Sequence, residues 1–341
     1  MMKKAGLILF SFLPILGFGQ LFHFSQFDNA PIFINPANTG FYEGKYRLTT
    51  VYKSQWGSIS SPYKTIFAAF DARIPIDGNN NNAIGVGANI ISDKAGTTQL
   101  GLTNYNASVS YMMRVGEAQG ISAGLSVGYL QQSINLDGVK WDSQYDGANY
   151  DPTIDPNEQD YSNRANYVDI AGGVVFLHQP YRRLRMEGGL SFGHLTNPNR
   201  SFNSVVDINE GFRYNFNAKA EIGLIKSYIP MLLISKQKAS YEIVAGGLRK
   251  ITVGESSVYT NALTASAIYF GGAYRFKDGI IAQMMYEHKQ QFKIGVSYDI
   301  NLSKLRVATR KFGGVELTLS FIPSGKADKI DVKNLDKVNK Q

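Results

Sequence analysis

The chain has 341 residues, 44% hydrophobic and 18% charged, with a formal net charge of +8 and no cysteine. Without cysteine there is no disulfide framework, thiolate metal site, cysteine nucleophile or lipoprotein anchor. The positive charge is dispersed, with no basic run interleaved with aromatics, so composition argues against a nucleic-acid partner.

At the N-terminus Lys3 and Lys4 precede an apolar run from Ala5 to Phe18, and Gly17-Phe18-Gly19 supplies small residues for cleavage. The pattern predicts a secretory signal peptide over residues 1–19 with Gln20 first in the mature chain. A run of about 14 apolar residues broken by Pro14 is too short to span a bilayer. No later stretch approaches 18 consecutive apolar residues, so no transmembrane helix is expected. Residues 20–42 follow without steady alternation, and Asn35-Pro36-Ala37-Asn38-Thr39-Gly40 is turn chemistry. This N-terminal segment is expected to lie on the periplasmic side or to plug a lumen.

From Tyr46 onward the hydrophobic period becomes two, which marks strands with one apolar and one polar face. Tyr46–Trp56 and Tyr63–Ile74 read as a first hairpin; in the second strand Ile66, Ala68, Phe70, Ala72 and Ile74 oppose Thr65, Asp71 and Arg73. Ala83–Ile91 follows. A fourth strand sets Tyr105, Ala107, Val109, Tyr111 and Met113 against Asn and Ser. A fifth sets Ile121, Ala123, Leu125, Val127 and Tyr129 against Ser and Gly. After a long polar segment, strands are predicted at Tyr167–Leu177, Leu184–Leu195, Phe212–Leu224, Pro230–Lys236, Tyr241–Lys250, Ala262–Arg275, Ile280–Glu287, Phe292–Ile300 and Gly314–Phe321. The clearest is Phe212–Leu224, where every second residue is apolar and Arg213, Asn215, Asn217, Lys219 and Glu221 lie between. At about 3.3 Å per residue it could reach roughly 40 Å, longer than a soluble sheet normally requires.

The fold class this predicts is all-β: a single antiparallel transmembrane β-barrel of about 14 strands, within a range of 12–16. It would occupy residues 43–322 of a Gram-negative outer membrane, with lipid as its surroundings and a polar tail over residues 323–341. A soluble β-sandwich shares the alternation, but charges on alternate positions of closely spaced strands suit a wet lumen better. The long connection 251–261 hints at a mis-split strand.

Candidate chemistry is sparse. The glycine pairs at 85/87, 172/173 and 188/189 open no helix after a strand, so they read as small lumenal residues. Four scattered histidines lack ligand spacing, and the carboxylates of the long loop match no calcium pattern. No catalytic constellation can be assembled, so the chain reads as non-enzymatic, without cofactor or metal. The external loop over residues 133–163 carries Trp141, Asp142, Tyr145, Asp146, Tyr150 and Tyr161, amphipathic and acidic residues of the kind that anchor protein interfaces. Lumenal charges of both signs are predicted at Arg73, Asp169, Glu187, Arg213, Lys219, Glu221 and Lys293. A selective pore would favour one sign; mixed charges suit an interior closed by ion pairs or one holding a polar peptide. A channel for small solutes is the alternative.

Several motifs follow one another in order along the chain: Phe24-Ser25-Gln26-Phe27; the run Pro31 to Gly40, with Asn35, Pro36 and Gly40; Arg47 to Gln55-Trp56; Pro62-Tyr63-Lys64-Thr65 with Asp71; and Asp93-Lys94-Ala95-Gly96. Trp141-Asp142-Ser143-Gln144-Tyr145, Asp169, His194-Leu195-Thr196-Asn197-Pro198, Tyr274-Arg275, Ile294 to Asp299 and Glu316-Leu317-Thr318-Leu319 complete the series. Together they resemble the PorP/SprF family of type IX secretion system membrane proteins. Val315 stands where the family has histidine, so no role of that histidine transfers. The resemblance implies an outer-membrane barrel serving type IX secretion. Its partners would be a secreted cargo, such as a gliding adhesin, bound through its C-terminal domain at the cell surface, and other type IX components. It leaves open whether the chain is a dedicated cargo partner or a core component of the apparatus.

Overall fold

The computed structural model describes residues 23–57, 62–77, 81–96, 100–135, 142–147, 149–154, 163–202, 208–254, 265–303 and 312–323. The signal peptide, Trp141, Tyr161 and the tail beyond residue 323 lie outside them. The strands are β1 (Tyr46–Gln55), β2 (Tyr63–Pro75), β3 (Asn82–Ala95), β4 (Leu100–Arg114), β5 (Gln119–Ser133), β6 (Arg164–Tyr181) and β7 (Leu184–Gly193). They continue as β8 (Arg213–Ile222), β9 (Lys226–Gln237), β10 (Ser240–Val253), β11 (Ser266–Arg275), β12 (Gly279–His288), β13 (Phe292–Asn301) and β14 (Phe312–Phe321). Each pairs antiparallel with its sequence neighbours, and β1 pairs with β14, so the 14 strands form a closed barrel. Closure removes the unpaired edge that lipid would not tolerate.

Alternation decides which face is which. On β1 Leu48 and Tyr52 point outward while Arg47, Thr49, Val51 and Lys53 are buried toward the lumen. On β4 Tyr105, Val109, Tyr111 and Met113 are exposed and Ser108, Ser110 and Met112 are buried. Exposed large hydrophobics recur around the whole wall, from Ile66 and Phe70 on β2 to Leu317 and Leu319 on β14. In water so large an apolar belt would be an association surface; on a closed barrel it is a lipid-facing band.

Strand ends differ from the sequence reading where backbone geometry intervenes. β8 stops at Ile222 because Gly223 takes φ +125° and its N–H bonds Arg183 O at 2.8 Å. β6 begins earlier than hydropathy indicates, at Arg164, because its polar start keeps pairing with β5 out to Ser133. The connection between β10 and β11 marks no mis-split strand; both strands are present on either side of it.

The connections fall into two ends. At one are the short turns 115–118, 182–183, 223–225 and 289–291, together with 254–265 and the start of β1. At the other are 134–163 and 194–212, the two longest. In outer-membrane barrels the short turns face the periplasm and the longer loops face outward, so this second end is the cell-surface end.

Residues 23–45 do not join the wall. They run inside it as a 3-10 turn (Phe27–Asn29), one helical turn α1 (Pro31–Ile34) and a second 3-10 turn (Pro36–Asn38). Two apolar clusters seat this lumenal segment. Phe27 and Ile34 pack with Met231, Leu233, Val244 and Met285, and Phe24 and Ile32 pack with Val51, Phe67 and Ile91. Burying side chains of this size is worth about 1.5–3 kcal/mol each.

Candidate functional site

The lumenal segment is fixed at two levels, and the wall residues that fix it are largely those of the family-like motifs. Near the cell-surface end, Glu316 on β14 accepts the backbone N–H groups of Ser25 and Gln26 at 2.7 and 2.8 Å. Lys53 on β1 donates to His23 O at 2.8 Å and Ser25 Oγ at 3.2 Å. Ser25 Oγ donates to Asp299 Oδ2 on β13 at 2.8 Å, and Gln283 on β12 donates to Ser25 O at 2.9 Å. Arg275, the last residue of β11, binds Asp299 and Asp278 through Nη1 and Glu242 through Nε, each at 3.1 Å. Two buried cations and two buried carboxylates thus share one serine. Each charge has hydrogen bonds as well as an opposite partner, which burial in low dielectric demands.

Near the periplasmic end, Asp71 on β2 is the organiser. Its carboxylate accepts from Arg47 Nε at 3.0 Å, from Arg47 Nη2 at 2.9 Å and from Gly40 N at 2.7 Å. Arg47 also donates to Asn38 O and lies 4.4 Å over the Tyr42 ring. Gly40 takes φ +67°, a left-handed conformation that glycine adopts without strain.

Between the two levels the wall binds mostly main chain, with Thr39 Oγ1 donating to Ser108 Oγ at 2.9 Å as a side-chain contact. Ser110, Ser122 and Ser191 each donate at 2.6 Å to a carbonyl, those of Thr39, Ala37 and Ile34 respectively. Asn215 adds a bond to Ile34 O at 3.1 Å. Asn35 works in reverse: its amide donates to Val174 O and Leu190 O on the wall, and its Oδ1 accepts Ala37 N. Pro36 opens the second 3-10 turn, where its fixed φ suits the first position. Such close approach needs small wall residues. A Cβ on Gly85 would meet Thr39 O at 2.1 Å, and one on Gly124 would meet Ala37 N at 2.6 Å.

The predicted lumenal charges all lie on the inner face, in two places. Glu187 pairs with Arg185 at 2.8 Å and Lys219 at 3.0 Å, Glu221 with Lys250 at 2.8 Å, and Lys293 donates to Asn29 Oδ1 at 2.8 Å, all below the segment. Arg73 donates to Tyr42 O at 3.5 Å. Asp169 and Arg213 lie instead toward the cell surface. Asp169 Oδ2 is 2.8 Å from His194 Nδ1, and the Arg213 guanidinium lies 5.8 Å from the Phe33 ring centroid. Gln55 and Trp56 close the outer end of β1, with Trp56 edge-on to Tyr63 at 4.9 Å.

Of the loop residues, Asp142, Tyr145 and Asp146 are exposed, and Tyr150 is half-buried. The loop is built on Gln144, which is buried, donates to Ile154 O and accepts from Tyr150 OH. Tyr145 and Tyr150 bridge as a small antiparallel pair. Asp151 caps the turn by accepting Thr153 N and Oγ1, and those bonds hold its carboxyl below the usual range. The second long loop leaves β7 through His194 and Asn197, both at positive φ. It folds back so that Glu210 binds Arg200 at 2.8 Å and lies 3.9 Å from His194 Nε2.

Alternation alone does not single out Lys53, Arg275, His194 or the serine row. Phase was the available signal for Lys53, which stands six positions after Arg47 on one strand and therefore on the same face. For His194 the sequence carried no metal or catalytic spacing. Its place between Asp169 and Glu210 comes from β6 and the two ends of the 194–212 connection meeting in space. Among the described residues no trio of His, Asp or Glu side chains is gathered tightly enough to hold a metal ion.

Compared with known proteins, residues 17–321 match the family model described as type IX secretion system membrane protein PorP/SprF. No curated protein matches the chain. Among solved structures, the toluene transporter TbuX of Ralstonia pickettii is similar at 13% identity, with 86% of this chain and 92% of that chain covered and a TM-score of 0.49. The toluene transporter TodX of Pseudomonas putida is similar at 8% identity, with 86% and 91% covered and a TM-score of 0.47. CdiB from Acinetobacter baumannii is similar at 9% identity, with 81% and 60% covered and a TM-score of 0.42.

Proposed function

The chain belongs to the PorP/SprF family of type IX secretion system membrane proteins, and from that premise we propose that it is a plugged outer-membrane barrel that holds a secreted cargo at the cell surface. The cargo, of which a gliding adhesin is one kind, binds through its C-terminal domain. The barrel performs no catalysis and is not the conduit through which the cargo leaves.

One observation supports this reading above the others: the described part of an aromatic and acidic loop is held by its own hydrogen bonds at the outward rim of a barrel whose lumen carries a buried segment of the chain. Within the loop the buried Gln144 and the half-buried Tyr150 bond to each other, and Tyr145, Asp142 and Asp146 are exposed. A preformed aromatic surface binds with less ordering cost than a floppy one. The lumenal segment serves as the plug, since moving cargo or solute past it means breaking the buried Ser25 and Asp71 clusters together.

The test is purification of the intact protein from native outer membrane of type IX-competent cells, with identification of what accompanies it. A protein bearing a type IX C-terminal domain is expected. Recovery of none, from membranes in which such cargo is present, overturns the reading.

A further inference from the structure

The lumenal segment does not fill the barrel evenly. On the side of β9 to β14 and β1 its first residues rise to the cell-surface rim: Ser25 shares Arg275 with Asp278 of the outer turn 276–278, and His23 lies 4.0 Å from Glu242, two residues after the start of β10. On the side of β3 to β8 the segment stays low. There a cavity opens above Ile32, Phe33, Ile34 and Pro36.

The wall of this bay continues the pattern that holds the segment. Along the lumenal face of β4, Ser110 binds the main chain of Thr39 and Ser108 accepts its hydroxyl; beyond them outward, Asn106 and Asn104 line the bay instead. Along β5, Ser122 binds Ala37 O, Gly124 lies against Ala37, and Ser126 lines the bay. Asn106 donates across the wall to Asn89 Oδ1 at 3.0 Å. The Oδ1 of Asn104 is buried and has no hydrogen-bond partner among the described residues. Such an orphan acceptor is costly unless something supplies a donor. The lining charges, Asp169 and Glu210 against Arg213, with His194 between the two acids and Arg200 bound to Glu210, are locally matched. The bay therefore favours no strongly charged ligand.

We propose that this bay is a second peptide site: it takes an extended, neutral segment of the cargo's C-terminal domain, held by its main chain through Asn89, Asn104, Asn106 and Ser126. The chemistry is that by which the same wall already holds residues 34–39, with hydroxyls and amides on peptide groups and small residues allowing close approach. Both long outer loops rise from the strands that wall the bay, and Glu210 of one lines it. A cargo seated on the loops is thereby placed to insert a segment. This inference rests on the cargo-binding reading above.

The chain has no cysteine, so single-cysteine variants of the full-length barrel report cleanly. Ser126→Cys and Tyr145→Cys, each carrying a photocrosslinker, are mixed with the purified C-terminal domain of a cargo exported by the same cells. Crosslinks from Ser126→Cys to one contiguous segment of that domain are expected. An Asn104→Leu, Asn106→Leu double variant, verified as folded by its heat-modifiable gel mobility, should capture the domain about tenfold more weakly, the loss of two modest hydrogen bonds. Crosslinking at Tyr145→Cys without any at Ser126→Cys, with full capture by the double variant, overturns the bay while leaving cargo binding intact. Crosslinking at neither position overturns both. Competition at Ser126→Cys by an oligosaccharide, and not by a peptide of the crosslinked segment, overturns the peptide assignment.

Discussion

Lys53 and Glu316 face each other at paired positions of β1 and β14, Nζ to Oε2 at 3.8 Å, with each side chain 1% exposed. This is the seam where the first strand meets the last. An ion pair that deeply buried stabilises only if its remaining donors and acceptors are also satisfied. The lumenal segment supplies them, through Ser25 N and Gln26 N to Glu316 and through His23 O to Lys53. Sealing the barrel and seating the segment are therefore parts of one event.

Breaking that pair from one side should be costly. Glu316→Leu leaves Lys53 with Asp299 alone at 3.6 Å and strands two backbone donors. Loss of about 3–5 kcal/mol is expected, read as a lower temperature for the heat-modifiable transition in detergent. Lys53→Met combined with Glu316→Leu should recover part of it, because no buried cation is then left in excess. A transition unmoved in the single variant would refute the coupling of seam and segment.

At the other level Asp71→Asn removes the charge partner of Arg47 and weakens the bond to Gly40 N. The segment should then loosen from its periplasmic end while the wall stays paired. Hydrogen exchange over residues 35–45 is expected to rise by at least about tenfold, as one lost charged interaction of roughly 1.5–3 kcal/mol requires. Exchange in β3 to β6 should stay slow. Equal protection in variant and parent would show that Asp71 holds only Arg47.

The contrast between wall and lumen explains what the sequence revealed. Strand number, pairing order and facing follow from a period of two, a local property, so Ile66 to Ile74 and Tyr105 to Met113 announced their lipid faces directly. Asp71, Asp299 and Glu316 were legible as lumenal charges and motif positions, and Asn35 as a motif position, but their partners in the lumenal segment were not: Ser25 meets Glu316 across 291 residues. A charge on a lumenal face reads the same whether it meets water, another charge or a backbone amide. The serines that bind Thr39, Ala37 and Ile34 were less visible still, since in an alternating strand they look like ordinary polar filler.

The lumenal segment also makes a prediction about conductance. The intact protein should be silent in planar bilayers. Gly85→Leu with Gly124→Leu puts side chains where Thr39 O and Ala37 N now lie, 2.1 and 2.6 Å from the added Cβ positions. Backbone at those distances cannot yield by a rotamer change, so the segment must move off the wall. The folded double variant is expected to show discrete conductance steps. Steady conduction by the unaltered protein would instead favour the solute-channel reading and remove the plug role.

The loop over residues 133–163 separates capture from folding. Pairing of β5 with β6 runs from Gln119 with His178 to Ser133 with Arg164 and does not depend on what lies between. Replacing the intervening residues by a short Gly/Ser turn should leave the heat-modifiable barrel intact and abolish capture of the cargo's C-terminal domain. Within the loop, Tyr145 and Tyr150 should behave differently. Tyr145, 56% exposed, is the contact residue we propose, and Tyr145→Ala should weaken capture by about 1–2 kcal/mol. Tyr150 is bonded to Gln144, so Tyr150→Phe should loosen the loop and weaken capture indirectly, with faster exchange at Asp151 N, which bonds Gln144 O at 2.9 Å. Undiminished capture by the loop replacement would move the whole binding function off this loop and onto the rest of the outer face.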